Sequence, residues 1–145
     1  MPELPDVLLS LVPNEDLRTN QYHIVDVVCF STRWNGALVG LCGNAQKMVG
    51  VLQNAPDVPG NAPGEWAIVM VEGKTEMVVT AAIACAASWQ SDANGHGIIA
   101  VANAWVGGQM LEPGVLSPTP TGGETATALV GALNPWFTDD TYVGP

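Results

Sequence analysis

Positive charge is nearly absent from this chain. Four basic residues, Arg18, Arg33, Lys47 and Lys74, stand against 14 acids in 145 residues, for a formal net charge of −10. The four are scattered and form no patch. A nucleic-acid binder neutralises phosphates with a basic footprint, and anionic lipid surfaces attract polybasic segments. Neither nucleic acid nor membrane is therefore expected as a partner. Long apolar runs are also missing. The longest, Val78 to Ser88, falls well short of the roughly 20 residues that cross a bilayer. The N-terminus, MPELPDVLLSLVPNEDL, carries acids early and has no basic n-region, so no secretory signal is expected.

Cysteine is scarce and unpaired in pattern. Cys29, Cys42 and Cys85 lie far apart with no CxxC, which signals neither a zinc site nor a redox motif. Free Cys behaves as a small buried hydrophobe; one disulfide plus one free thiol is the alternative. Reduced cysteines suit a protein made and assembled in a cytoplasm.

Reaction chemistry is missing at each place where a motif would show it. There is no GK[ST] phosphate loop and no G-x-S-x-G nucleophile elbow. The two histidines and three cysteines sit in separate segments, so no metal is expected. Asp92-Ala93-Asn94-Gly95 resembles the start of a calcium loop, but no acid follows before Glu112. A tight turn explains it better, because Asn-Gly favours positive φ. Ser91, Asp92 and His96 share that turn, where side chains rarely converge into a triad, and His96 is expected to be exposed beside it. His23 is read as a surface or hydrogen-bonded histidine. A carboxylate pair among the 14 acids is conceivable, but the sequence does not select one. No enzyme activity and no cofactor are expected.

What is present favours a folded β domain. Hydrophobic residues make up 48 %, and 16 glycines and 11 prolines demand many turns. The chain is organised around residues 48–86. Met48–Leu52 reads as a strand, Gln53–Glu65 as a turn-rich loop and Trp66–Val71 as a strand. Glu72-Gly73-Lys74 reads as a hairpin turn, and Glu76–Val79 as the returning strand. Gln21–Phe30 and Ala37–Leu41 are strands upstream. Thr80–Trp89 fits either a helical turn or two or a tightly packed small-residue strand, with the strand favoured. Gly97–Trp105, Gln109–Glu112 and Thr125–Leu133 complete the β runs. Residues 1–15 read as an arm whose apolar Val7–Val12 is a short helical turn or an edge strand. Residues 16–133 form the β domain, and 134–145 a tail bearing Trp136, Phe137 and Tyr142. Those aromatics either cap the chain's own core or anchor in a groove.

The order of the segments resembles a family of small capsid decoration (cement) proteins of tailed bacteriophages. Val49-Gly50-Val51-Leu52-Gln53-Asn54-Ala55-Pro56 matches the family's "GVLQN-P" strand, and Gly64-Glu65-Trp66-Ala67-Ile68-Val69 its Gly-Glu strand. Gly73-Lys74-Thr75-Glu76-Met77-Val78-Val79, Ser91–Gly95, Gly108–Glu112 and Gly123–Ala126 follow in the family's order. The loop 56–63, the linker 113–121, the arm and the tail are longer than the pattern or additional to it. The resemblance implies a small all-β barrel or β-tulip domain, a homotrimer, on the outer capsid surface of a virion. Its partner would be the major capsid protein, at junctions between subunits. The expected contacts are Leu8, Leu9 and Leu11 of the arm, Pro56, Val58 and Pro59 of the long loop, and Trp136, Phe137 and Tyr142 of the tail. A carbohydrate-binding β-module, with Trp66, Trp89 or Trp105 stacking on sugar, is the alternative function.

Overall fold

The computed structural model describes residues 6–30, 37–57, 66–80, 82–112 and 124–131. Among these residues there are nine strands and no helix: β1 (Val7–Pro13), β2 (Ile24–Phe30), β3 (Ala37–Leu41), β4 (Gly50–Leu52), β5 (Ala67–Val79), β6 (Ser88–Ser91), β7 (Gly97–Ile99), β8 (Gly108–Met110) and β9 (Glu124–Val130). The all-β barrel-like class expected from the sequence is what folds.

The strand pairings close into two five-membered rings that share β5. In the first, β1 pairs with β3 in parallel, then β3 with β2, β2 with β4, β4 with β5, and β5 back to β1. In the second, β5 pairs with β9, then β9 with β8, β8 with β6, β6 with β7, and β7 returns to β5 in parallel. Closure matters because an open edge offers unpaired N–H and C=O groups to other chains. Strand β5 can serve both rings because its 13 residues change partner midway. Residues 67–72 pair with β1, and residues 73–79 pair with β9.

Alternation along β5 fills both interiors. Ala67 and Val69 face the first core, and Met77 and Val79 the second, while Lys74 and Glu76 point to solvent. The first core comprises Leu17, Val25, Val39, Leu52, Ala67 and Val69. Leu17 reaches it from the β1–β2 loop, fixed by its N–H donating to the Pro56 carbonyl at 3.1 Å. The second core is built around Trp89, which is fully buried. Ala126 and Ala128 on β9 lie opposite Met77 and Thr75, and their small side chains leave room for the indole. Ile24 and Val51 of the first ring join this second cluster, so the rings are packed into one body.

Three expectations are corrected. Glu72-Gly73-Lys74 is not a hairpin turn: the chain continues straight through it as β5. Seven consecutive pairs with β9, starting at Gly73 (φ 134°), hold that register. Thr80–Trp89 is neither helix nor one strand. Residues 82–87 form a loop anchored by buried Ile83, with Ala86 at φ 68°, and pairing resumes only at Ser88. The run after Gly97 pairs only to Ile99. By contrast, Val7–Pro13 resolves as a strand, and the segment assigned to an arm is docked on its own domain through β3 and β5.

Candidate functional site

Among the described residues, an apolar groove of about 520 Å³ lies at the seam between the rings. Leu9 of β1, Val71 of β5 and Val130 of β9 line it, together with Met48 and Val49 just before β4 and Val106 just before β8. Lys47 and Glu72 line it with opposite charge. Glycines let the walls approach. A Cβ at Gly131 (φ 70°) would strike the Val71 carbonyl, and one at Gly107 would strike the Trp89 ring. Gly131 N–H donates to the Gly107 carbonyl at 2.7 Å, which stitches β9 to the segment before β8. The Lys47 ammonium lies 5.2 Å from the Trp105 ring centroid, a cation–π distance.

Of the expected contact residues, Leu8 and Leu9 are on the surface, 51 % and 41 % exposed, and Val7 beside them is 38 % exposed. Three consecutive exposed apolar residues put hydrophobic surface on both faces of β1, and Leu9 also enters the groove. Leu11 lies against the first core and is half-buried. Pro56 is buried, and its carbonyl is engaged by Leu17, so it holds the fold together rather than projecting from it. Val58, Pro59, Trp136, Phe137 and Tyr142 lie outside the described residues. Among the tryptophans proposed for sugar stacking, Trp89 is sealed in the core with its indole N–H donating to the Leu129 carbonyl at 3.2 Å. Trp66 is 48 % exposed.

The structure brings together a polar cluster that sequence spacing did not reveal. His23, just before β2, and His96, in the β6–β7 turn, face each other with ring centroids 4.9 Å apart. Their separation of 73 positions hides the pairing from any local pattern. Asp92 accepts from the backbone N–H groups of Asn94 and His96 at 2.8 and 2.9 Å, and its other oxygen lies 3.0 Å from His96 Nδ1. His96 is therefore folded back, about a fifth exposed, rather than free beside its turn. Ser91 is buried, and its hydroxyl lies 2.9 Å from the Asp92 backbone carbonyl and 3.4 Å from that of Cys42. The serine is thus engaged by backbone and forms no hydrogen-bonded relay with His96.

Protonation in this cluster carries a stability consequence. Burial pushes His23 below the ordinary imidazole value, with the facing His96 adding to the effect, and the Gln21 and Asn20 carbonyls opposing it. Burial raises Asp92, but its hydrogen bonds from His96 and Asn94 outweigh that and leave the carboxyl below the usual range. The unfolded chain takes up a proton at His23 more readily than the native one, so stability falls as pH drops through about 6.5. Asp92 adds a loss only below about pH 4. Asp26 acts in the opposite direction at acid pH, because burial and Glu15 raise its carboxyl. We expect the urea midpoint to fall between pH 7.5 and 5.5, and His23→Gln to flatten that change. An unaltered slope in His23→Gln would assign it elsewhere.

Cys42 and Cys85 are free thiols. Burial pushes Cys42 up to about 12, which leaves it an inert core thiol. Cys85 is exposed, against the expectation of buried cysteines, because it lies in the loop before β6 rather than in a strand.

No family model and no curated protein matches this sequence. The fold does have a solved counterpart. The chain is similar in structure to the N base of the head fiber gp8.5 of bacteriophage phi29, with a TM-score of 0.59 and 10% sequence identity. The superposition covers 87% of this chain and 94% of that one. At this identity the likeness establishes a shared fold, carried across nearly the whole of both chains.

Proposed function

We propose that this chain is a structural protein of a tailed-bacteriophage head, a decoration or cement protein bound on the outer capsid surface. The observation that carries the reading is the near-complete superposition on a phage head fiber base, to which the order of sequence motifs adds independent weight. The partner is the major capsid protein, at junctions between subunits, and a homotrimer would match a local threefold docking site. No catalytic step is assigned to it. Bridging neighbouring subunits means that shell rupture must break extra contacts. Many copies acting together raise avidity by about 10²–10⁴ over a single contact. The exposed apolar residues of β1, Val7, Leu8 and Leu9, are the contact surface we assign on the described domain.

Co-sedimentation with mature, undecorated heads tests this. Saturable binding at a fixed ratio to local threefolds is expected, and Leu8→Asp should weaken it at least tenfold while leaving the circular dichroism spectrum intact. Absence of binding at micromolar protein would overturn the capsid role. Glycan-dependent quenching of exposed Trp66 would then favour the carbohydrate module.

A further inference from the structure

We propose that the contact between His23 and His96 is a pH-sensitive latch between the rings. With neutral imidazoles it holds residues 20–24 against the β6–β7 turn, and protonation releases that strip while each ring stays paired. Residues 22–24 are where separate parts of the fold meet. Tyr22 N–H donates to the Leu52 carbonyl of β4 at 2.7 Å, and the Tyr22 carbonyl accepts from Val78 of β5 at 3.0 Å. Ile24 N–H donates to the Gly95 carbonyl in the β6–β7 turn at 2.7 Å. The strip is held under strain. Tyr22 sits at φ 66°, a left-handed conformation that is costly for an aromatic residue and persists only where its surroundings impose it. Gly95 (φ 77°) packs so closely that a Cβ there would stand 2.7 Å from the Ile24 carbonyl oxygen. A strained strip clamped by few bonds opens before the strand ladders do.

The histidine geometry puts a proton site at this clamp. The ring centroids are 4.9 Å apart. His23 Nδ1 lies 3.2 Å from the Gln21 carbonyl, and His96 Nδ1 lies 3.0 Å from Asp92 Oδ2. Both oxygens accept, which puts the N–H of each neutral ring on Nδ1 and leaves Nε2 as the atom that takes up a proton. Two imidazoliums at this separation repel. Asp92, in the same turn as His96, offsets one of the two charges, and it also accepts from Thr80 Oγ1 at 3.3 Å. The other elements packed on the strip add little. From β4 (Gly50–Leu52) there is no titratable side chain, and from β5 the contact is Val78, with Glu76 turned to solvent. Cys42 donates its N–H to the Ile24 carbonyl at 3.0 Å, and its thiol, pushed up to about 12, stays neutral. Asp26, further along β2, lies by Glu15. Burial, with His96 facing it, holds His23 of the closed strip below the ordinary imidazole value. The released strip therefore binds the proton more tightly, and release is favoured as pH falls below about 6.5. Burial of His23 alone would weaken the whole fold; its place at the clamp makes the opening local.

Amide hydrogen exchange of the full chain near pH 7.5 and pH 5.5, corrected for the intrinsic rate, tests the latch. Opening at the Ile24 and Val78 amides should rise roughly three- to tenfold on acidification, tenfold being about the ceiling for one histidine that titrates near 6.5 when released. The rest of the β5–β9 ladder should change by less than about twofold. His23→Gln should remove the rise, and His96→Gln, which takes away the facing charge, should reduce it. An equal rise along the whole β5–β9 ladder would make the effect global unfolding and overturn the latch. So would unchanged exchange at Ile24 and Val78 in the wild-type chain, or a rise in either variant as steep as in the wild type.

Discussion

Trp89→Ala is expected to lower the unfolding free energy by about 3–5 kcal/mol, the range for deleting a large buried aromatic. Trp89 is fully buried among Met77, Met110, Ala126, Ala128 and Val130. Two features make collapse around the cavity difficult. The neighbours on β9 are alanines held in a seven-residue ladder, and Gly107, packed on the indole, has no side chain to fill the space. The indole N–H also satisfies the Leu129 carbonyl. Trp89→Phe, which keeps most of the packing and loses that bond, should cost much less, near 1–3 kcal/mol. For a chain of this length the alanine change corresponds to a drop in melting temperature of roughly 10 °C. Denaturant titration of the three proteins checks the order. A midpoint for Trp89→Ala within error of wild type would show that the second ring does not depend on this residue.

Deletion of residues 1–13 should be at least as damaging, although a Pro-bearing terminal segment is usually dispensable. Strand β1 is the member that closes the first ring. It pairs with β5 from Leu11 opposite Ala67 to Val7 opposite Glu72, and with β3 at Val12 and Pro13. Without it, β3 and the first half of β5 become open edges, and Val39, Ala67 and Val69, all buried, face water along one side. Amide exchange protection at Val25, Val39 and Val69 should be lost, and the cooperative transition should broaden or disappear. A truncated chain with the wild-type midpoint would mean that β1 is an accessory strand. Leu8→Asp supplies the contrast: Leu8 is half exposed, so that change should leave stability within about 0.5 kcal/mol while acting on attachment.

Much of this architecture is legible in the chain, for reasons that can be named. Ala37–Leu41 is a strand as read, because Gly and polar residues bound a short β-branched and aliphatic run. Asn94-Gly95 forms its turn because Gly95 takes φ 77°. The misreadings share one cause. Glu72-Gly73-Lys74 has the composition of a turn, yet β9, more than 50 residues downstream, supplies a ladder that keeps β5 extended. Pro56 sits in a loop sequence, yet a backbone bond from Leu17 draws it into the interior. The His23–His96 contact likewise joins segments that no local period connects.

The sequence by itself determined the class of this protein. Alternating apolar residues, and the breaks that glycine and proline put between them, dictate short strands in an all-β chain. Those properties are local or compositional, so they survive without knowledge of the fold. Only the tertiary structure decided that the strands close into two rings around a shared β5, that the apparent arm is a closing strand, and that a groove opens where the rings meet. These depend on which distant backbone groups pair. Many pairings satisfy the same alternation, and only the mutual packing of both cores selects one.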